Sequence, residues 1–458
     1  MQMAGELEKE ISSKDLLRPF KEVFHGPGEQ KLGLELEKLA LDADSLLPIP
    51  MKGKRSVQNL LKQLAEVFYW EPTIDDEGEV ISLKRDGQLI TVEPGGQIEL
   101  SSSADQYVDK ALEVSQQHFA EINEICADWN VLWCGFGIHP VATLDQVDWL
   151  RKERYKKMSH YLVRKGKLAH YMMKLSASTQ ISIDYQNEAE AIEKLQFATR
   201  LAPFFAAISA NSCFAAGKLS GFKNYRAHIW EHVDKDRCGF PECYFAEDFS
   251  FQRYVDFALD VPMIFLARGD KAIGNLNMSF RQFMQSGYQG FRANFSDWQL
   301  HLSMLFPEVR LKNFLELRSF DRQGGVRDFS LAVLMKVLFY DEQTFAAVNQ
   351  LIKSFDRNIC VAGMASAAKF GLGGEINQRS MLDFAGEVFK YASAGIARMV
   401  KAEKISHYEL SCFEQLFELI CERGKCPADL LLESYAKHGS LAKIVKAHAL
   451  TMPNNLDI

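Results

Sequence analysis

Apolar and polar residues alternate in four short stretches of the chain: 32–41 (LGLELEKLAL), 96–100 (GQIEL), 178–184 (STQISID) and 314–318 (FLELR). Period two is the mark of a strand, because successive side chains leave opposite faces and residues two apart lie about 6.6 Å apart on one face. The pattern predicts four strands that bury Leu34 and Leu36, Ile98 and Leu100, Ile181 and Ile183, Leu315 and Leu317. Their other face then carries Glu35 and Glu37, Gln97 and Glu99, Gln180 with Ser182 and Asp184, and Glu316 with Arg318. Elsewhere apolar residues recur every three or four positions, which predicts helices over 57–68, 107–128, 187–208 and 328–351. The last eighty residues read as helical throughout, over 380–401, 407–423 and 427–450, with Pro427 suited to a first turn. No internal repeat, low-complexity tract or long Pro/Ser/Gly linker interrupts the chain. The expected organisation is one large domain over 1–458, with a helical lobe at about 380–450 packed on it.

Composition narrows the class. Of 458 residues 47% are hydrophobic and 25% charged, enough apolar mass for a large core, so disorder is excluded as the main state. With 53 basic and 60 acidic residues the net charge is −7, whereas a general nucleic-acid binder leans the other way. The longest apolar candidate, 201–216, is broken by Pro203, Ser209, Asn211 and Ser212, so no membrane span is expected. The opening MQMAGELEKEISSKD has acids where a secretory signal needs a basic start and an apolar run, and a cytoplasmic location is expected. The nine cysteines form no CxxC pair, and Cys238/Cys243 and Cys421/Cys426 each have four residues between them. Free cytosolic thiols are the expectation.

The carboxylates change the picture. A polar strand face can simply be solvated. Acidic residues are depleted in strands, however, and here Glu35, Glu37 and Glu99 from two strands join Glu316 from another. Gathered in a cleft, they would stay partly protonated or bind cations, since each desolvated ion costs several kcal/mol unless compensated. Oxygen ligands with a nearby glutamine amide suit Mg²⁺, with Mn²⁺ as the alternative, and such a site commonly holds phosphate oxygens too. Arg318, Arg310 and Lys312 stand close in sequence to serve phosphate, although each alone reads as a surface charge. There is no Walker A, kinase or GxGxxG motif, and the GFG at 135–137 lacks a third glycine. If ATP is bound, it is held by the metal face rather than by a phosphate loop. Eight basic residues at 151–167, Arg154 among them, suit an anionic small molecule or a solvated helix face better than nucleic acid. Separately, His228-Ile229-Trp230-Glu231-His232 fits H-x-x-E-H, an inverted zinc-peptidase pattern in which two histidines bind zinc and the glutamate acts as base.

Several segments occur in an order that resembles a known family: GLELEK (33–38), VEPGGQIELS (92–101), RYKKM (154–158), MMKLSASTQISID (172–184), GFKNYRAHIW (221–230), DKDR (234–237), FPEVRLKNFLELRSFD (306–321) and GKCPADLLL (424–432). They look like the plant-type and proteobacterial glutamate–cysteine ligases (γ-glutamylcysteine synthetases), of the carboxylate–amine ligase group related in fold to glutamine synthetase. The resemblance spans roughly residues 20–440. It implies an α+β fold, an antiparallel sheet whose concave face binds magnesium and ATP, wrapped by helices. It places Glu35, Glu37, Glu99, Gln180 and Glu316 at metal positions, and Arg318 facing the transferred phosphoryl group beside Arg310 and Lys312. Arg154, Arg226 and Trp230 fall on substrate-pocket positions. The implied activity is ATP-driven joining of the γ-carboxylate of glutamate, through γ-glutamyl phosphate, to the amine of cysteine, the first step of glutathione synthesis. A different acceptor amine is the alternative within that chemistry, and the monomer or homodimer remains the expected assembly. The chain departs from the family pattern at Leu34 and Leu36, where threonine and histidine are usual, at Leu175 for arginine and at His139 for glutamine. Leu34 and Leu36 point away from the acidic face, so altered packing is expected there rather than lost chemistry.

Overall fold

All four alternating stretches become strands of one nine-stranded antiparallel sheet in this computed structural model, which describes residues 10–21, 30–75, 77–268 and 271–451. The amino-terminal residues that bear on export lie largely outside the described residues. The strands are β1 (Leu32–Asp42), β2 (Glu71–Ile74), β3 (Val80–Arg85), β4 (Gln88–Val92), β5 (Ile98–Ser101), β6 (Val131–Cys134), β7 (Ser178–Ile183), β8 (Val309–Leu311) and β9 (Leu315–Asp321). They run in the order β8-β9-β7-β1-β5-β4-β3-β2, and β6 pairs with the far half of β1.

The register fixes the two faces. Glu35 lies opposite Gln180, Glu37 opposite Glu99, and Glu99 opposite Thr91. Glu316 lies between Ser182 and Arg310. Because side chains alternate, these groups share one face, and Leu34, Leu36, Ile98, Leu100, Ile181, Ile183, Leu315 and Leu317 share the other. Every one of those eight is at most 3% exposed. Two apolar clusters cover them. One joins β1, β7 and β9 to the helices Glu188–Ile208 and Val326–Tyr340, and the other joins β3–β5 to the helix Val57–Phe68. Leu34 and Leu36 accordingly pack in the core, as expected.

Three boundaries differ from the sequence reading. β5 begins at Ile98 because Gly95 and Gly96 form a turn: the Gly96 N–H donates to the Glu93 carbonyl (2.9 Å) and Gly96 has φ +87°. A Cβ on Gly95 would sit 2.1 Å from the Lys174 carbonyl oxygen, so only glycine fits. Gln97 therefore belongs to the turn and not to the acidic row. The helix expected over 328–351 is two, Val326–Tyr340 and Glu342–Ile352, because the Asp341 side chain accepts the Thr344 N–H (2.8 Å) and caps the second. Likewise 427–450 divides into Pro427–His438 and Leu441–Ala447 at Gly439, whose φ of +63° ends the first. All nine cysteines are free thiols. Among the described residues no helix is long and apolar enough to cross a membrane.

Candidate active site

The polar face of the sheet floors a cavity of about 710 Å³, within the range of about 300–1,000 Å³ usual for ligand sites. Glu35, Glu37 and Glu99 line it, as the alternation required, together with a fourth carboxylate, Glu93. Gln180 stands at the centre. Its amide nitrogen donates to Glu37 Oε1 (3.3 Å) and Glu99 Oε2 (3.2 Å), and its amide oxygen accepts from Arg318 Nη1 (2.8 Å). This one side chain joins an acidic half of the cavity to a basic half.

In the acidic half the carboxylates lack cationic partners within hydrogen-bonding reach among the described residues. Thr91 Oγ1 donates to Glu99 Oε1 (2.8 Å), while the Ser178 N–H and hydroxyl donate to the two oxygens of Glu37 (2.7 and 2.9 Å). Burial, followed by repulsion from Glu35, Glu93 and Glu37, raises Glu99 well above the usual carboxylate value. Burial and the Glu93 charge push Glu37 up to about 7. Burial raises Glu35 and Glu93 as well. Below the floor, Arg322 Nε donates to the Glu37 backbone carbonyl (2.7 Å) and its guanidinium pairs with Asp328, which pins that strand residue from behind.

This electrostatic state has a consequence for stability. A carboxyl whose folded pKa lies above its unfolded value binds protons more tightly when folded, so stability is lost as the pH rises through the folded pKa. For Glu37 the window runs from the ordinary 4.5 to about 7, and a rise of that size corresponds to about 3 kcal/mol. Unfolding by denaturant in the presence of a chelator is expected to show stability falling between pH 5 and 7.5. Saturating divalent metal is expected to remove most of that fall.

The basic half is built around Glu316, which is fully buried and does not itself line the cavity. Three cations converge on it: Arg310 Nη2 (2.9 Å to Oε1), Lys312 Nζ (3.1 Å to Oε1) and Arg318 Nη1 (2.8 Å to Oε2). Burial opposes its charge, but these cations outweigh that and hold it well below the usual range. The carboxylate sits behind the row, and the three cations form the wall. Glu316 was expected as a metal ligand; in this arrangement both its oxygens are engaged by cations.

A third side of the cavity comes from the helix Tyr225–Trp230, capped by Asn224, whose side chain accepts the Ala227 N–H (2.8 Å). Four residues apart, Arg226 and Trp230 share a face and both line the cavity. Arg226 is 3% exposed and donates through Nη2 to the Arg318 carbonyl (3.0 Å). Its Nε and the Trp230 Nε1 are buried without a hydrogen-bond partner. Buried donors left unpaired are costly, which marks them as groups awaiting a ligand. The Trp230 ring also meets the Arg318 guanidinium at 5.6 Å. Arg154 lines the opposite side, with Nη1 donating to Ser303 Oγ (3.3 Å), next to Lys152.

Sequence reasoning missed Glu93, Thr91 and Ser178. Thr91 and Glu93 do alternate in TVEP, so a signal existed, but Pro94 cuts it short. Gln97, read as sharing a face with Glu99, lines the cavity while it donates from Nε2 to the Ser176 carbonyl (2.8 Å) and accepts the Gly95 N–H (2.9 Å), bracing the turn. Leu175 packs in the core, and His139, 1% exposed, is held at about 3 by burial while its Nδ1 accepts the Ala142 N–H (2.9 Å). The H-x-x-E-H residues come together, but none of the three lines this cavity.

The arrangement has relatives. The glutamate–cysteine ligase family 2 model matches residues 31–447. The chain is 31% identical over 416 residues to the chloroplastic glutamate–cysteine ligase A of Oryza sativa subsp. japonica, covering 88% of this chain and 81% of that protein. It is equally 31% identical to the chloroplastic glutamate–cysteine ligase of Arabidopsis thaliana, covering 88% and 76%. Among solved structures, a glutamate–cysteine ligase from Francisella tularensis in complex with AMP superposes with a TM-score of 0.56 at 12% identity, covering 93% of this chain and 90% of that one. A bifunctional glutathione synthetase from Pasteurella multocida gives 0.54 at 13%, covering 92% and 52%. At those identities the structural likeness speaks for the fold alone, an antiparallel sheet wrapped by helices. The match over most of its length, at this level of identity, means that the chain belongs to glutamate–cysteine ligase family 2.

Proposed function

We propose that this chain uses ATP and divalent metal to join the γ-carboxylate of glutamate to the amine of cysteine. The observation that carries the reading is the Gln180 junction: one cavity holds an oxygen-only carboxylate group on one side and a row of three fixed cations on the other. Glu35, Glu37, Glu93 and Glu99 fit hard divalent ions of the Mg²⁺ type, since their donor atoms are oxygens and burial with mutual repulsion outweighs the nearby cations and raises all four. Metal bound there supplies positive charge to offset a triphosphate.

A carboxylate repels an incoming amine lone pair, so it must first be activated. Arg310, Lys312 and Arg318 are placed to accept anionic phosphoryl oxygens and to offset charge during transfer to the γ-carboxylate. Glu316 holds these three cations in place, and the Gln180 amide oxygen holds Arg318. The amine then attacks the acyl phosphate carbon, the C–O bond to phosphate breaks, and an amide forms with release of phosphate and a proton. Arg226 and Arg154 hold amino-acid carboxylates, and the unpaired Trp230 N–H adds a donor. The zinc-peptidase alternative is disfavoured, because its three residues stand outside the cavity.

The test is phosphate release from ATP with glutamate and a panel of amines. Release that requires glutamate and is fastest with cysteine supports the reading; release fastest with another amine places the chain among other γ-glutamyl ligases. In the same assay Arg226→Ala is expected to raise the KM for amino acid by about one to two orders of magnitude, the scale of a lost charged hydrogen bond, with the KM for ATP little changed. Unchanged amino-acid saturation would refute that role.

A further inference from the structure

We infer that His228, Glu231 and His232 form a second metal site, for one zinc-type divalent cation, on the outer side of the helix that carries Arg226 and Trp230. One ligand atom from each of the three lies within 4.8 Å of the others. His228 Nδ1 is 3.8 Å from Glu231 Oε2, and the two imidazole rings are 4.4 Å apart. Two imidazoles and one carboxylate make the donor set of an open zinc site, with a fourth position left to water. It differs in kind from the all-oxygen group on the sheet, which suits harder ions.

The surroundings orient both imidazoles. His232 Nδ1 lies 2.9 Å from the His228 backbone carbonyl, a hydrogen bond that commits Nδ1 and turns Nε2 outward as the ligand atom. The His228 ring stacks on Phe222 at 4.2 Å, which fixes its plane. The Lys369 ammonium, 4.5 Å from the Phe222 ring, opposes a cation, whereas the Glu308 charge felt by Glu231 favours one. A tetrahedron with bonds of about 2.1 Å has edges of about 3.4 Å, so the ligands must close by a turn of exposed His232. The sequence motif thus marks a binding site apart from the cavity on the sheet. An ion there clamps the end of the helix whose other face presents Arg226 and Trp230 to substrate.

Cobalt(II) titration of the full-length, chelator-stripped protein tests this. One equivalent is expected to give the visible d–d band of a four-coordinate nitrogen/oxygen site, with no thiolate charge-transfer band. His232→Ala is expected to weaken cobalt binding on the order of tenfold or more, and the H228A/H232A pair to remove the band. Glu99→Gln is expected to leave it intact, which separates this site from the ligase centre. Far-ultraviolet circular dichroism checks that the variants fold. No band at several equivalents, a band unchanged in H232A, a band lost in Glu99→Gln, or a charge-transfer band from cysteine would each overturn the inference.

Discussion

Arg318→Ala is expected to lower kcat by about three to five orders of magnitude, the scale of arginines that offset charge on a transferring phosphoryl group. The reason is preorganisation. Glu316 Oε2 and the Gln180 amide oxygen both take hydrogen bonds from Arg318 Nη1 at 2.8 Å, and the Trp230 ring stands 5.6 Å from the guanidinium. The charge is in place before substrate arrives, so little reorganisation remains for the reaction itself. Fold stability should change little, because Glu316 keeps Arg310 and Lys312. Arg318→Lys is expected to recover only a small part of the rate, since an ammonium cannot reproduce the planar fork held between two partners. Single-turnover phosphate release checks both variants, and a near-normal rate in either contradicts the role.

Glu99→Gln is expected to reduce metal-dependent ligation by about 10³-fold while leaving the metal-free protein as stable or more so. Glu99 lies where Glu35, Glu37 and Glu93 all repel it, so its removal relieves the cluster that metal would neutralise. The glutamine keeps an acceptor for Thr91 Oγ1 and loses the acceptor facing the Gln180 amide, a smaller loss than the relief of a buried like charge. Glu35→Gln should behave alike. Activity at limiting Mg²⁺ and unfolding in a chelator together check this: activity retained, or stability lost in the metal-free state, speaks against metal at these carboxylates.

Strict alternation made the central strands legible. β1, β7 and β9 bury leucine and isoleucine on one face and show Glu, Gln or Arg on the other, so face and chemistry were readable together. The outer strands were not, because LI in QLITV and VIS in VISLKR put apolar residues side by side where both faces meet packing. Glu93 went unseen because it follows β4 directly and opens the turn, where Pro94 cuts the alternation short. Asp341 and Gly439, which divide two expected helices, carried ordinary stop signals that the surrounding apolar periodicity outweighed. What alternation cannot supply is the third dimension: that three cations would converge on Glu316 depends on the pairing of β8 with β9, and that Gln180 would aim its nitrogen at carboxylates and its oxygen at an arginine depends on register between strands far apart in sequence.

The most direct measurement is anomalous X-ray scattering from crystals grown with Mn²⁺ and a non-hydrolysable ATP analogue. Manganese peaks bounded by Glu35, Glu37, Glu93 and Glu99, with the analogue's phosphates against Arg310, Lys312 and Arg318, are the expected result. A nucleotide bound elsewhere, or manganese absent from these four carboxylates, would contradict it.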